Sequence, residues 1–271
     1  MQNKKRLDAL LVEKGHFTSR EKAKAAIMAG LVRIDGEVCD KAGTRAPLDS
    51  AIEVAGTVHP YVSRGGLKLE KALRTFGFQM EGAVVLDIGA STGGFTDCAL
   101  QHGARHVYAV DVGYGQLAWK LRQDPRVTVM ERTNFRYMTP EPFKQRIPNV
   151  AVIDVSFISL EKIFPALSDI LPDGGSVLSL IKPQFEAGKA QVGKKGIVRD
   201  ATVHKTVIRR LLQSSTTYDF HVYQLTYSPI TGGEGNIEFL VHWVKQATPQ
   251  LSDEKIAQLI DTVVDEAHRH F

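Results

Sequence analysis

The chain has 271 residues, 43% of them hydrophobic and 24% charged, with a formal net charge of +4. This length and composition are typical of a soluble globular protein with one medium domain and one small one. No apolar run approaches the roughly 18–20 residues that a membrane-spanning helix needs, so we expect no membrane partner.

The positive charge is unevenly distributed. Residues 1–75 hold 14 Lys and Arg against 9 Asp and Glu, whereas the remainder holds 20 against 21. A basic first quarter favours a polyanionic partner such as RNA or DNA, because each neutralised phosphate adds affinity. Charge alone is equally consistent with a well-solvated surface.

Two features favour a cytoplasmic location. The first residues, 1–6, lead into an amphipathic helix rather than into the apolar core of a signal peptide. The only cysteines, Cys39 and Cys98, suit neither a disulfide framework nor a metal cluster. We interpret both as small buried packing residues.

The first sixty residues have the pattern of a small α/β module. Leu7, Leu10 and Leu11 mark one face of a helix that Gly15 ends, and Ser19 is placed to cap a second helix. That helix is predicted over Arg20–Ala29, followed by Gly30, a strand at 31–34 and a tight turn at Asp35–Gly36. Further short strands are predicted near 41–45 and 51–54, and a linker at 59–61. We therefore expect one domain at 1–60 and another at 61–271.

From Ala83 onward, apolar strands alternate with amphipathic helices, after a helix predicted near 66–76. This alternation indicates an α/β fold with a doubly wound, Rossmann-like parallel sheet. A terminal helix is predicted over about 252–268. The predicted strands are 83–88, 106–110, 126–130, 149–154, 175–181, 219–226 and 236–244.

A glycine-rich turn, Asp87–Thr96, links the first of these strands to a helix. The next strand ends at Asp111, 22 residues after Gly89. Such a strand–turn–helix–strand–acid unit binds a nucleoside, because glycine lets the backbone approach the ligand and the acid accepts both ribose hydroxyls. A tight turn without a ligand would not explain the paired acid.

The spacing favours S-adenosylmethionine (SAM) over a dinucleotide. Asp87 precedes Gly89 by two residues, where SAM enzymes carry an acid facing the methionine end, and Ser91 replaces the glycine that admits a pyrophosphate. Asn134 either contacts adenine or caps a helix. The predicted cofactor-binding residues are Asp87, Gly89, Ala90, Ser91, Thr92, Gly93, Gly94, Phe95, Thr96, Asp111, Val112, Asn134 and Asp154.

Asp154 and Lys182 each end an apolar strand. The carboxyl ends of strands form the ligand crevice of a doubly wound sheet, so both side chains should project toward one place. Either charge alone could simply be solvated, but their joint position beside the cofactor turn favours a catalytic pair. Pro183 favours a fixed exit geometry after Lys182.

The first sixty residues resemble the alpha-L RNA-binding module found in a small-subunit ribosomal protein, in tyrosyl-tRNA synthetases and in many pseudouridine synthases. The resembling positions include Arg6-Leu-Asp8, Ser19-Arg20 and Asp35-Gly36. The resemblance implies phosphate contacts, with Arg33 a weaker candidate. With Arg64 from the following segment, the predicted RNA contacts in this part are Arg6, Arg20, Lys24, Lys41, Arg45 and Arg64.

The chain as a whole resembles the TlyA family, whose members carry both haemolysin and rRNA 2′-O-methyltransferase names. The resemblance implies methylation of cytidine in small- or large-subunit rRNA, or both. The second domain is similar to the FtsJ methyltransferases, whose Lys–Asp–Lys–Glu tetrad corresponds to Lys68, Asp154, Lys182 and Glu238. The motifs that carry the resemblance are 61–68, 87–96, 131–134, 152–160, 181–186 and 232–238.

A ribose 2′-OH is a poor nucleophile at neutral pH, so it needs a base or a strong acceptor. We assign Lys182 either as the base or as a group that orients the hydroxyl. Lys182 can act as a base only in its neutral form. Asp154 would position Lys182 but favour its charged form, so Lys68, oriented by Glu238, would have to compensate. Phe157 either stacks on a flipped base or begins a buried helix at 157–171.

No metal is expected, because the histidines, including His204 and His242, lack ligand spacing and are interpreted as surface or packing residues. Two other functions remain open. A pore-forming haemolysin would fit the second family name but not a SAM site. A catalytically silent RNA-binding assembly factor would not need an intact tetrad. The modified nucleotide, the subunit and the oligomeric state are not determined by the sequence.

Overall fold

The computed structural model describes residues 4–17, 19–28, 30–41, 43–54, 59–246 and 248–271. Internal contacts divide the chain into two compact units, Met1–Arg64 and Gly65–Phe271.

The first unit packs two helices beside short strands. Strand β1 pairs antiparallel with β4, and β2 lies between β3 and β5. The two helices bury leucine, alanine and isoleucine side chains against each other, which forms the core of the unit. The elements are β1 Lys4–Arg6, α1 Leu7–Glu13, α2 Arg20–Met28, β2 Val32–Ile34, β3 Glu37–Cys39, β4 Arg45–Pro47 and β5 Ile52–Val54.

The predicted caps and turn of this unit are confirmed. Gly15 follows α1 with φ +78°, and Ser19 Oγ accepts a 3.3 Å hydrogen bond from the N–H of Lys22. Asp35 and Gly36 both have positive φ, +51° and +85°, as a two-residue hairpin turn between β2 and β3 requires. The predicted end of α2, Ala29, lies outside the described residues.

The strand predicted near 41–45 is wrong, since Arg45 is the only one of its described residues that belongs to a strand. That strand, β4, pairs with β1, which we did not predict. β1 is the exposed tripeptide Lys4–Arg6, and three charged residues have no apolar alternation from which a strand could be recognised.

The second unit is built on a seven-stranded sheet, and all seven predicted strands are present. The order is β11-β12-β10-β9-β6-β7-β8, and β12 is the one strand that runs opposite to the other six. The predicted doubly wound fold is therefore confirmed. The strands are β6 Val84–Ile88, β7 His106–Val110, β8 Val127–Met130, β9 Val150–Ile153, β10 Ser176–Ile181, β11 Phe220–Tyr227 and β12 Phe239–Lys245.

Helices cover both faces of this sheet. One core joins α6, α8 and α9 to the strand residues of one face, among them Leu86. Asp87 points the other way and contacts Thr96 of α4, and α4 packs on α3. The helices are α3 Gly65–Phe76, α4 Gly94–Gln101, α5 Trp119–Arg122, α6 Phe164–Ile170, α7 Pro183–Glu186, α8 Ala201–Ser215 and α9 Asp253–His270.

Candidate active site

Three of the four predicted catalytic residues lie at one edge of the sheet. Asp154 follows β9 and Lys182 follows β10, and these strands are parallel neighbours. Glu238 directly precedes β12, whose Phe239 pairs with Ile181. Because β12 is antiparallel, its beginning lies beside the end of β10. The reversed strand therefore places Glu238 at the carboxyl edge.

Lys68, on α3, completes a continuous row of charges. Its Nζ donates a 2.6 Å hydrogen bond to Glu238 Oε2 and lies 4.0 Å from Asp154 Oδ2. On the other side, Lys182 Nζ lies 2.5 Å from Asp154 Oδ1. The order is thus Lys182–Asp154–Lys68–Glu238. The structure brings all four predicted residues together.

Burial makes this pairing important. Lys68, Lys182 and Glu238 are each at most 9% exposed, and charges removed from water must be paired. Asp154 divides its negative charge between two lysines, as the expected compensation by Lys68 requires. Asp154 and Lys182 form an ion pair whose geometry is not that of a hydrogen bond. Lys182 Nζ instead donates a hydrogen bond of 3.0 Å to Ser156 Oγ.

Gly232 is required by the position of Glu238. A Cβ built at Gly232 would overlap Glu238 Oε1. The backbone at Gly232 therefore lies so close to the Glu238 carboxylate that no space remains for a side chain. Any larger residue would displace the acid that holds Lys68.

A cavity of about 500 Å³ adjoins the row of charges. This volume is within the usual range for small-molecule sites. The predicted cofactor residues that do not line the cavity are Asp87, Ala90, Thr92, Gly93, Gly94, Phe95 and Thr96. The predicted residues that do line it are Gly89, Ser91, Asp111, Val112, Asn134, Asp154 and Phe157.

Two backbone amides hold the Asp111 carboxylate in place at the cavity. The N–H of Ser91 donates to Oδ2 at 2.7 Å, and the N–H of Gly113 donates to Oδ1 at 2.6 Å. Each carboxylate oxygen keeps a further lone pair that can accept a hydroxyl. This arrangement fits the two hydroxyls of a ribose. Asn134 Oδ1 accepts from the N–H of Arg136 at 3.2 Å, so Asn134 is a helix cap that also lines the cavity.

Asp87 lies beneath the glycine-rich turn and is fully buried. Thr96 Oγ1 donates to its Oδ2 at 2.5 Å, whereas Oδ1 has no hydrogen-bond partner among the described residues. Burial raises the pKa of Asp87 to about 7. An unpaired buried acceptor fits a donor or cation on a bound ligand.

The glycines of the turn are also required by the protein itself. A Cβ at Gly89 (φ +87°) would lie 2.6 Å from the backbone oxygen of Asp154, and one at Gly93 (φ +99°) would overlap Leu121. The sequence pattern indicated close approach to a ligand. The structure shows that Gly89 also lies against the residue that follows β9, and that Gly93 lies against α5.

Phe157 is not a core residue. It lies in the loop between β9 and α6 with φ +63°, and it is 90% exposed, so the alternative of a buried helix start is wrong. Its ring lies 4.8 Å from that of Phe185, centroid to centroid. The Lys182 Nζ lies 5.9 Å from the Phe185 centroid. An exposed phenylalanine and a half-buried one thus lie beside Lys182.

Glu186 is a site residue that the sequence did not reveal. Its carboxylate accepts a 2.8 Å hydrogen bond from the N–H of Leu160 and a 2.7 Å bond from Ser159 Oγ. It thereby ties α7, which follows Lys182, to the loop that carries Phe157. Burial raises the pKa of Glu186 to about 7. In the sequence, Glu186 appeared only as the last residue of the 181–186 motif and received no role.

In the first unit, the predicted phosphate contacts Arg6 and Arg20 share an acid. Both guanidinium groups bind Asp8 Oδ2, at 3.1 and 2.9 Å. Asp8 is fully buried, and its hydrogen bonds to Arg6 and Arg20 hold its pKa well below the usual range. Asp8 therefore orients both arginines, a role that we did not assign from the sequence.

The other predicted RNA contacts are cations that differ in exposure. Lys24 is half-buried, and Arg33 donates to the backbone oxygen of Gly36 at 3.1 Å. The exposed members are Arg33, Lys41, Arg45 and Arg64.

His204 and His242 are buried in the second unit, within the prediction of surface or packing residues. A hydrogen bond of 2.9 Å joins the rings of His204 and His268. The His242 ring stacks on Phe76 and meets Phe78 edge-on. Burial lowers the pKa of His204 and of His242 to about 4. Among the described residues, no three His, Cys, Asp or Glu side chains are grouped to hold a metal ion.

The described part of the chain contains no helix that is both long and apolar enough to span a bilayer. Cys98 is buried as predicted, whereas Cys39 is half-buried.

Comparisons with known proteins agree with this geometry. Residues 61–245 match the FtsJ-like methyltransferase family, and residues 5–50 match the S4 domain. The chain is 54% identical over 266 residues to YqxC of Bacillus subtilis, provisionally named an rRNA methyltransferase, covering 98% of this chain and 95% of that protein. It is 42% identical to the 16S/23S rRNA (cytidine-2′-O)-methyltransferase TlyA of Mycobacterium tuberculosis, covering 94% and 95%.

A solved structure from Streptococcus thermophilus, provisionally named a hemolysin, is also similar. Its TM-score is 0.80 and its identity 50%, covering 100% of this chain and 98% of that one. The fold, the row of four charges and these similarities all indicate the same family. The chain belongs to the TlyA family of FtsJ-like methyltransferases and carries an S4 domain at residues 5–50.

Proposed function

We propose that this protein is a SAM-dependent methyltransferase that modifies a ribose 2′-OH of ribosomal RNA. The observation that carries the proposal is the buried row Lys182–Asp154–Lys68–Glu238 beside the cavity of about 500 Å³. The row alternates lysines and acids and ends at Lys182, so one lysine can act on a hydroxyl while the other three groups compensate its charge.

SAM fits the residues present. When bound, it supplies an activated methyl group on a sulfonium. Asp111, held by the amides of Ser91 and Gly113, binds the ribose hydroxyls, and Gly89 lets the backbone approach. Asp87, with its unpaired Oδ1, favours positive charge at the methionine end.

Lys182 acts on the ribose hydroxyl of the substrate. In its neutral form Nζ accepts the hydroxyl proton, and Asp154 and Ser156 fix the direction in which Nζ points. Lys68 draws part of the Asp154 charge away from Lys182. Most of the rate enhancement comes from alignment, which contributes up to ~7–11 kcal/mol in favourable cases.

The exposed ring of Phe157 packs on the half-buried ring of Phe185 next to this lysine. A base that leaves its helix stacks on such an exposed ring, with a gain of ~1–3 kcal/mol per base. The names of two similar proteins specify cytidine, and we assign cytidine as the target base. The S4 domain, with its exposed cations, supplies affinity for the RNA, and the substrate is a ribosomal subunit in the cytoplasm.

The test is methylation of isolated small and large ribosomal subunits with methyl-labelled SAM, followed by mapping of the modified nucleotide. We expect 2′-O-methylcytidine in at least one subunit, and no label with Lys182→Ala. Label on a base, or no label with any subunit, would contradict the proposal. Lysis of erythrocytes by the purified protein without methyl transfer would favour the haemolysin alternative.

A further inference from the structure

Residues 188–199, here called the cationic segment, follow α7 and carry four exposed cations. Lys189, Lys194, Lys195 and Arg199 form no ion pair with any residue in the described ranges. The nearby acid Asp200 is engaged as a cap, because its Oδ1 accepts from the N–H of Thr202 at 2.7 Å. The segment therefore presents uncompensated positive charge.

The end of the cationic segment is anchored beside the catalytic row. Val198 is buried, and its N–H donates to Asn236 Oδ1 at 3.1 Å. Asn236 Nδ2 donates in turn to the backbone oxygen of Gly196 at 3.0 Å. Asn236 is 3% exposed and precedes Glu238 by two residues. The segment thus follows Lys182 through the short helix α7, and its other end is anchored two residues from Glu238.

The lysines lie at the tip of an ordered turn. The N–H of Gly193 donates to the oxygen of Ile197 at 2.9 Å, and the N–H of Gly196 donates to the oxygen of Gly193 at 3.1 Å. Lys195 adopts a left-handed conformation, with φ +68°. Lys194, Lys195 and Arg199 line a surface hollow of about 520 Å³. The turn thus holds several cations around one open space.

We propose that the cationic segment binds the phosphate backbone of the RNA next to the target nucleotide. This inference rests on the proposed function. A ribose placed at Lys182 has a phosphate on each side, and the anchors of the segment keep its cations close to that ribose. Each neutralised phosphate releases counterions and adds affinity.

An acidic membrane surface would meet the same charges, but the segment lacks the apolar part that such binding uses. None of its large hydrophobic side chains is exposed: Val192 and Ile197 are half-buried and Val198 is buried. RNA is therefore the partner that the chemistry favours.

The test compares Lys194→Ala/Lys195→Ala with the control Arg105→Ala/Lys255→Ala. The control cations are also exposed, but Arg105 precedes β7 at the opposite edge of the sheet and Lys255 lies on α9. Methylation of a ribosomal subunit is measured over a series of salt concentrations. We expect the segment variant to raise KM for RNA about tenfold and to reduce the salt slope of the affinity by about 2, one for each lysine.

In the segment variant, kcat at saturating RNA and the Kd for SAM should stay within twofold of wild type, and the control should match wild type throughout. Lys194→Arg/Lys195→Arg should restore KM. An unchanged KM and salt slope, an equal loss in the control, or a loss confined to binding of phosphatidylserine vesicles would overturn the inference. Failure of the proposed function is distinct, because wild-type protein would then transfer no methyl group to RNA.

Discussion

Lys68 Nζ and Glu238 Oε2, 170 positions apart in the chain, form a buried hydrogen bond of 2.6 Å. The bond joins α3 to the beginning of β12, the one antiparallel strand of the seven-stranded sheet. It holds the Lys68 ammonium 4.0 Å from Asp154. The reversed strand therefore completes the row of four charges, because a parallel β12 would begin at the opposite edge.

Glu238→Gln should lower both activity and stability. Without the carboxylate, Lys68 loses its closest anion and competes with Lys182 for Asp154. We expect at least a tenfold loss of methyl transfer and a decrease of about 1.5–3 kcal/mol in the free energy of unfolding, the range for hydrogen bonds to charged groups. Glu234→Gln, an exposed acid of the same turn, is the matched control. Wild-type turnover in Glu238→Gln would contradict the assignment.

Asp111→Ala should weaken SAM binding. The ribose hydroxyls would lose a charged acceptor, which costs about 2 kcal/mol or roughly thirtyfold in Kd. Isothermal titration calorimetry measures the effect directly. Asp173→Ala, a highly exposed acid, should leave Kd unchanged. Equal affinities in the two variants would show that Asp111 does not receive the ribose.

Glu186 should make stability depend on pH near neutrality. Burial raises its pKa from 4.5 to about 7, so its contribution to stability is fully present below about pH 4.5 and is lost as pH rises through about 7. Relative to wild type, Glu186→Gln should gain about 3 kcal/mol between pH 4.5 and pH 8. Urea unfolding followed by fluorescence reports on the second unit, because it holds both Trp119 and Trp243. Parallel pH curves would contradict the prediction.

Arg20→Ala should weaken RNA binding and reduce its salt slope by about 1, with no change in Kd for SAM. Asp8→Asn should act in the same direction while leaving both arginines in place, because Asp8 orients Arg6 and Arg20. Fluorescence anisotropy with labelled rRNA fragments measures both variants. RNA affinity that is unchanged in Arg20→Ala would remove this arginine from the interface.

The central sheet and the clustering of Lys68, Asp154, Lys182 and Glu238 could be predicted from the sequence because both depend on strong local signals. Apolar runs of four to seven residues mark strands, and charged residues at their ends, such as Asp154 and Lys182, mark the crevice. The hairpin turn at Asp35–Gly36 was predicted because its residues tolerate positive φ.

Other features depend on contacts between distant residues. β1 is a charged tripeptide that becomes a strand only because β4 lies beside it. Glu186 matters because Ser159 and Leu160, distant in the sequence, donate hydrogen bonds to its carboxylate. Similarly, Gly89 must be glycine because Asp154 lies against it. No periodicity or spacing in the sequence records these contacts.

Single-turnover methylation with Lys182→Ala and Lys182→Arg measures how much Lys182 contributes to 2′-O-methyl transfer. A general base contributes ~10²–10⁴-fold, and arginine cannot give up its charge to act as one. We predict a loss of at least ~100-fold in both variants, with Kd for SAM and the thermal midpoint near wild type. Turnover above about a tenth of wild type in Lys182→Ala would contradict the proposal that Lys182 acts as the base, since it lies well outside the ~10²-fold minimum.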